Sequence, residues 1–280
     1  MEIEGAKLLQ LLDRFAGHLS DSLSVVSLVH WGAYFSIEHV ELMEMALQDD
    51  FASAEVKPTS EQKSEAEKRA RFAKSEKERG FPLLHGQALM GMWGALEAFI
   101  EDFCVACMES FPDSLRSANV KKIKITLSDF MKLSESDRLR YLVTEIQRER
   151  KVGLRSGVAV FEDLLNSIEI NGKPQSRLGG EVDRKVRDIL YEGQQIRNAL
   201  AHRGGIADRR LCDACPNLQL VPGRQVLLSL DYIETFDAAA RVYALTIMNR
   251  VLSLVGMPPV VDGPPGFEGA LKVKYPPPVM

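Results

Sequence analysis

The residues Arg197-Asn198-Ala199-Leu200-Ala201-His202, followed by Arg203-Gly204-Gly205, place a permanent cation, an amide and an imidazole within about one and a half helical turns. The Arg guanidinium is a planar fork suited to paired, charge-assisted hydrogen bonds with a phosphate. His accepts and returns a proton near neutral pH, so the set has the parts for metal-independent attack on a phosphodiester. The same residues also have a purely structural reading. Arg and His complement the dipole in the last turn of any helix, and Gly204-Gly205 is a common C-cap signal. Helical geometry constrains the chemical reading. Asn198 and His202, four apart, share a face, whereas Arg197 and His202, five apart, point about 140° away from each other. A two-fold dimer that brings two such helix ends together would let each copy contribute to one shared cleft. Arg203, Arg209 and Arg210 follow at once, and Arg184, Lys185 and Arg187 lie upstream. Such residues would hold a nucleic-acid backbone without reading its sequence.

The elements that must position this motif read as helices. Ile3 to His18 carries a broad apolar stripe that includes Leu8, Leu12 and Phe15, and Leu23 to Phe35 and Ile37 to Leu47 read as second and third helices. Residues 57–80 change composition: Thr59-Ser60 opens a run of Glu, Lys, Arg and Ala that suits a solvated helix or a mobile arm. Leu83 to Phe111 is one long helix, with Leu89, Met92, Trp93, Leu96, Phe99, Ile100 and Phe103 at spacings of three and four. Helices follow over Leu127 to Lys151, Phe161 to Ile168, Leu178 to Ala201 and Tyr232 to Leu254. The sole hairpin signal pairs Asn217–Leu220 with Gln225–Leu228 across Pro222-Gly223. The expected fold class is all-α, an antiparallel helical bundle with extra N-terminal helices and a small β-hairpin after the motif helix. Its expected parts are an acidic helical region 1–56, a charged helix or linker 57–80, a bundle 81–256 and a Pro-rich extended tail 257–280.

Composition narrows the class. The 280 residues are 45% hydrophobic and 26% charged, as in soluble globular proteins. No secretory signal is visible at the start, and the apolar stretch from Ser22 to Ile37 falls short of the ~20 residues of a membrane helix. A cytoplasmic protein without membrane contact is expected. The net charge of −4 hides an asymmetry. Residues 1–56 carry ten acidic residues against Lys7 and Arg14, while residues 171–210 carry nine basic against five acidic. The basic stretch either attracts a polyanion or pairs with the acidic one.

The four cysteines fall as Cys104-x-x-Cys107 and Cys212-x-x-Cys215, a spacing that resembles a four-thiolate zinc site. The second pair sits in a loop context suited to a metal knuckle. The first lies inside a helix, where Cys usually packs as a small hydrophobe, so no metal is favoured and no cofactor is expected. His18, His30, His39 and His85 sit among apolar residues without a partner at ligand spacing and read as core or boundary histidines. The glycines at 179–180 and 204–205 lack the Lys-Ser/Thr of a P-loop, and no Gly-x-Ser-x-Gly elbow occurs.

The stretch from Phe161 to Leu254 resembles the HEPN superfamily of helical domains. Arg197-Asn198-x-x-x-His202 fits that family's Arg-x(4–6)-His pattern with a polar residue after the Arg. Gly204-Gly205-Ile206-Ala207-Asp208, Cys215-Pro216, Gly223 and a final apolar helix give the same context, and Met92 to Asp102 is similar to the first core helix of such proteins. The resemblance covers residues 81–255. It implies a four- or five-helix bundle that dimerises through the motif helix. It also implies metal-independent endoribonuclease activity, as found in toxin–antitoxin, abortive-infection and antiviral defence systems. His202 would transfer the proton as a ribose 2′-OH attacks the adjacent phosphate. Arg197 would stabilise the charge on phosphorus, Asn198 would position the phosphate or the ring, and Glu97 would orient them. Arg203, Arg209 and Arg210 would hold the RNA backbone. Residues 1–80 and the Pro-rich tail fall outside the minimal domain, which leaves a regulatory or partner-binding role open to them. The same fold is also used as a non-catalytic module that binds RNA, nucleotide or a protein partner.

Overall fold

A computed structural model describes residues 2–48, 59–117, 119–149, 157–171 and 180–260. The Pro-rich tail beyond Val260 and the start of the expected helix at Leu178 lie outside the described residues. The architecture is all-α. Its helices are α1 (Glu2–Gln48), α2 (Ser60–Glu78), α3 (Pro82–Ser110), α4 (Leu127–Lys132), α5 (Glu135–Glu149), α6 (Val158–Ser167), α7 (Arg184–Arg203), α8 (Arg209–Ala214) and α9 (Leu230–Leu254). Among the described residues no helix is long and apolar enough to cross a membrane.

The three helices expected before residue 48 are one continuous helix. The serines that punctuate this stretch in the sequence do not end it. Ser22, Ser24 and Ser36 turn their hydroxyls back onto the carbonyls of His18, Ser20 and Gly32, at 2.9, 2.9 and 2.7 Å, so each is satisfied inside the helix. With no proline in residues 2–48, nothing compels a break. The helix expected over Leu127 to Lys151 is instead divided into α4 and α5. Ser134 caps the second piece: its hydroxyl accepts from the Asp137 N–H at 3.3 Å, and its carbonyl accepts from the Arg138 N–H at 3.1 Å.

The charged run 57–80 contains a true helix, α2, opened by a capping box. Gln62 N–H donates to the Thr59 hydroxyl at 3.2 Å and Thr59 N–H to the Gln62 side chain at 2.8 Å. Ala66, Ala73 and Glu76 are its buried positions, and it packs along α1.

The expected hairpin is corrected. Pro216–Leu218 forms a 3₁₀ turn, for which Pro216, lacking an N–H, is suited at the first position, and Gln219 takes a left-handed conformation. The Gln225 segment pairs instead with the residues just after α7. Ala207 N–H donates to Arg224 O, Gly223 N–H to Ala207 O and Val226 N–H to Gly205 O, each at 2.8 Å, around a single antiparallel bridge of Ile206 with Gln225.

α3, α7 and α9 share one core with the first half of α1. Trp93 of α3 is fully buried, stacked on Phe161 of α6 at 5.7 Å and tilted against Phe236 of α9 at 6.2 Å. Leu8, Leu12, Phe15 and Leu19 belong to the same cluster, so the acidic N-terminal helix is part of this core and not an appendage. α9 carries Arg241 and Arg250 into the interior, where both are compensated. Arg241 Nε donates to Asp237 at 2.8 Å, and Arg250 donates to Glu162 at 2.9 Å and to the Gly180 carbonyl.

Candidate active-site cleft

Two close approaches position α7, the helix that carries the motif. At Gly193 a Cβ would fall 2.4 Å from the Phe236 ring, so α7 and α9 can meet this closely only around a glycine. At Gly86 of α3 a Cβ would lie 3.2 Å from the Leu200 side chain. The helix begins at the Asp183 cap, which accepts from Lys185 N–H at 2.8 Å, and ends at Gly204 in the left-handed conformation. The N–H groups of Gly204 and Gly205 both turn back to the Ala199 carbonyl. The bridge to residues 223–226 then sends the chain into α8, capped by Asp208 through Leu211 N–H at 2.8 Å.

This path encloses a cleft of about 670 Å³. Asn198 and His202 both line it, from consecutive turns of α7. Gln194 extends the same stripe one turn earlier and accepts a hydrogen bond from the Gly157 N–H. Glu97 and Glu101 of α3 face them, with Arg203, Asp208 and Arg210 beside α8. His202 is exposed to solvent.

Arg197 stands outside this lining, as a residue five positions from His202 must on a regular helix. Its guanidinium is nonetheless anchored at the cleft edge. One nitrogen lies 3.5 Å from the Glu97 carboxylate and another donates to Asn198 Oδ1 at 3.2 Å. The pair is partly exposed, with about a third of the Arg197 side chain in solvent. Glu97 thus touches the motif through Arg197. Of the other arginines, Arg203 is ion-paired with Asp208, Arg210 lines the cleft, and Arg209 is exposed outside it. Arg184, Lys185 and Arg187 occupy the opposite end of α7, about 15–20 Å along the axis from Arg197.

The cysteine pairs do not form a tetrathiolate. Cys104 and Cys107 are buried in α3, whereas Cys215 and the half-buried Cys212 sit at α8, and all four are free thiols. Among the described residues no group of three or more His, Cys, Asp or Glu is arranged to hold a metal ion. Burial pushes the Cys104 and Cys107 thiols far above their ordinary range and Cys215 up to about 12, so these three buried thiols stay protonated and unreactive at neutral pH. Beside Cys215, burial also raises the Glu192 carboxyl, against the opposing hydrogen bond from Asn217 at 3.3 Å.

Glu101, Gln147, Gln194, Gln195 and Asp208 were not singled out from the sequence, yet all line the cleft. A signal for two of them exists there. Gln194, Asn198 and His202 recur every four residues, as do Glu97 and Glu101, so each set lies along one helix face. The chain was compared with protein-family models, with curated proteins and with solved structures, and nothing matches.

Proposed function

We propose that the cleft is the reaction site of a metal-independent endoribonuclease of the HEPN kind. The observation that carries this reading is the placing of Asn198 and His202 together on one cleft wall, with Arg197 held at its edge by Glu97. A base and a cation acting without a metal need a nucleophile inside the substrate. The ribose 2′-OH is one, so the substrate class is RNA. His202 accepts the 2′-OH proton as that oxygen attacks the adjacent phosphorus. The bond from phosphorus to the 5′-oxygen breaks, and that oxygen takes up a proton. The products are a 2′,3′-cyclic phosphate and a 5′-hydroxyl. Arg197 leaves Glu97 to donate to the phosphoryl oxygens where negative charge builds. That exchange is cheap, since a partly exposed ion pair is worth about 0.2–1 kcal/mol. In this reading two copies meet through the C-terminal ends of α7, so that Arg197 of one and His202 of the other share a phosphate.

A second reading has its own support. Glu97, Glu101 and Asp208 outnumber Arg203 and Arg210 in the lining, which suits a module that binds a protein partner without cleaving RNA. End-labelled RNA incubated in EDTA with the protein separates the two. Cleavage to 2′,3′-cyclic phosphate ends by the unsubstituted chain, absent in Arg197→Ala and His202→Ala proteins of verified fold, is the expected result. RNA left intact in every lane favours the binding module. Mixing the two inactive variants restores cleavage only where the cleft is shared between copies.

A further inference from the structure

The distal half of α1 presents a feature independent of the cleft. Leu28, Trp31, Phe35, Leu42 and Met45 are 71, 74, 61, 55 and 63% exposed. Scattered exposed hydrophobics are ordinary, but these five follow the 3-4-7-3 spacing of the a and d positions of a coiled-coil seam, with Glu38 at the one remaining d position. The opposite stripe of the same helix, Val26, His30, Ala33, Ile37 and Val40, is the side covered within the fold. α1 over this stretch therefore has two heptad faces, one used by its own chain and one bare.

We propose that the bare seam pairs two copies of this chain in antiparallel fashion. Placing a positions against d positions sets Leu28 against Met45, Trp31 against Leu42 and Phe35 against Glu38, with the two-fold axis between Phe35 and Glu38. Every large apolar residue but Phe35 then meets another, along a contact about 27 Å long for 18 helical residues. The charge pattern selects a second copy in this orientation. Residues 22–37 carry no Asp, Glu, Lys or Arg, whereas Glu38, Glu41 and Glu44 crowd the far end with no basic residue in the last turn. Parallel pairing would bring the two acidic ends together. Antiparallel pairing lays each acidic end along the uncharged half of the other copy. There Lys77 of α2 stands 4.2 Å over the ring of Tyr34, a g position, and the antiparallel seam brings Glu41, the g position of the second copy, alongside it. Because α2 already braces this part of α1, association does not have to order it.

The test is sedimentation of the full chain over a micromolar concentration series, beside Trp31→Glu and Phe35→Glu. Both substitutions fall on exposed positions, and far-UV circular dichroism checks that helicity is kept. The expected result is self-association of the unsubstituted chain, with the mass halved in either variant. Orientation is read by mild oxidation of an equimolar mixture of Leu28→Cys and Met45→Cys proteins, with the unsubstituted chain as background. A disulfide-linked dimer should form in the mixture and in neither protein alone. A monomer at every concentration, an assembly that both glutamate variants leave intact, or Leu28→Cys protein cross-linking to itself would each overturn the proposal.

Discussion

Arg197, Asn198 and His202 are near neighbours in the chain, yet the helix sends them to different tasks. His202 sits exposed at the C-terminal end of α7, where its removal forfeits a dipole interaction and little packing. His202→Ala should therefore lower stability by at most about 1 kcal/mol, read as a small shift in urea midpoint, while abolishing any RNA cleavage. Loss of cleavage with a large loss of stability would mean that the residue is structural. Glu97 has the reverse character. It holds Arg197 at 3.5 Å, so Glu97→Gln keeps the side chain's shape while releasing the guanidinium. That variant should bind single-stranded RNA several-fold more tightly in a fluorescence-anisotropy titration. Unchanged or weaker binding would mean that Arg197 meets no phosphate.

At the scale of elements, glycine contacts set how closely the helices approach, and a pair of histidines sits where two of them meet. Gly193→Ala forces a methyl group into the Phe236 ring and should cost about 1–3 kcal/mol, the range for overpacking a tight core, measured by urea denaturation. Where α1 meets α3, His30 and His85 approach to 5.2 Å between ring centroids, and His85 Nδ1 is hydrogen-bonded to the Leu228 carbonyl. Burial holds both imidazoles below the ordinary 6.5. It outweighs the Leu228 carbonyl and Glu76, which act to raise His85, while for His30 the charge of His85 adds to it. The unfolded chain thus takes up protons that the folded one resists. The neutral rings favour the folded state above pH 6.5, and that stability is lost as pH falls from 6.5 through the depressed native values. The urea midpoint should drop from pH 7 to pH 5, and His85→Asn, which keeps a donor for Leu228, should flatten the drop.

At the scale of the molecule, the charge asymmetry of the chain is not carried into the cleft. The basic residues at the start of α7 stay there, and Arg184 lies 3.8 Å from Asp188. With Arg203 held by Asp208, Arg210 and a released Arg197 are the side chains placed to meet phosphates. RNA binding should accordingly show a shallow salt dependence, with a slope of log K against log salt of about −1.4 for two contacts on a single strand. A slope several times steeper would place the RNA on another surface.

The all-α class, the length of α3 and the cap at Gly204-Gly205 were all legible in the sequence, because they rest on local period and backbone preference. So was the divergence of Arg197 from His202, which 3.6 residues per turn imposes. Punctuation was less legible. Serines in α1 and Ser134 look alike in sequence, but the first are satisfied within the helix and the second starts one, a choice set by neighbouring turns. The Pro222-Gly223 turn was read correctly as a turn but given the wrong partner strand. Pairing is a long-range event: the Gln225 segment bridges to the residues after α7, while Pro216–Leu218 winds into a 3₁₀ turn in which Asn217 donates to Glu192. Tertiary structure alone decided that the two Cys pairs stay apart and that α3, α5, α6 and α8 close a cleft around one face of α7. Sequence periodicity says which residues share a face. Only the packing of distant elements says what that face looks upon.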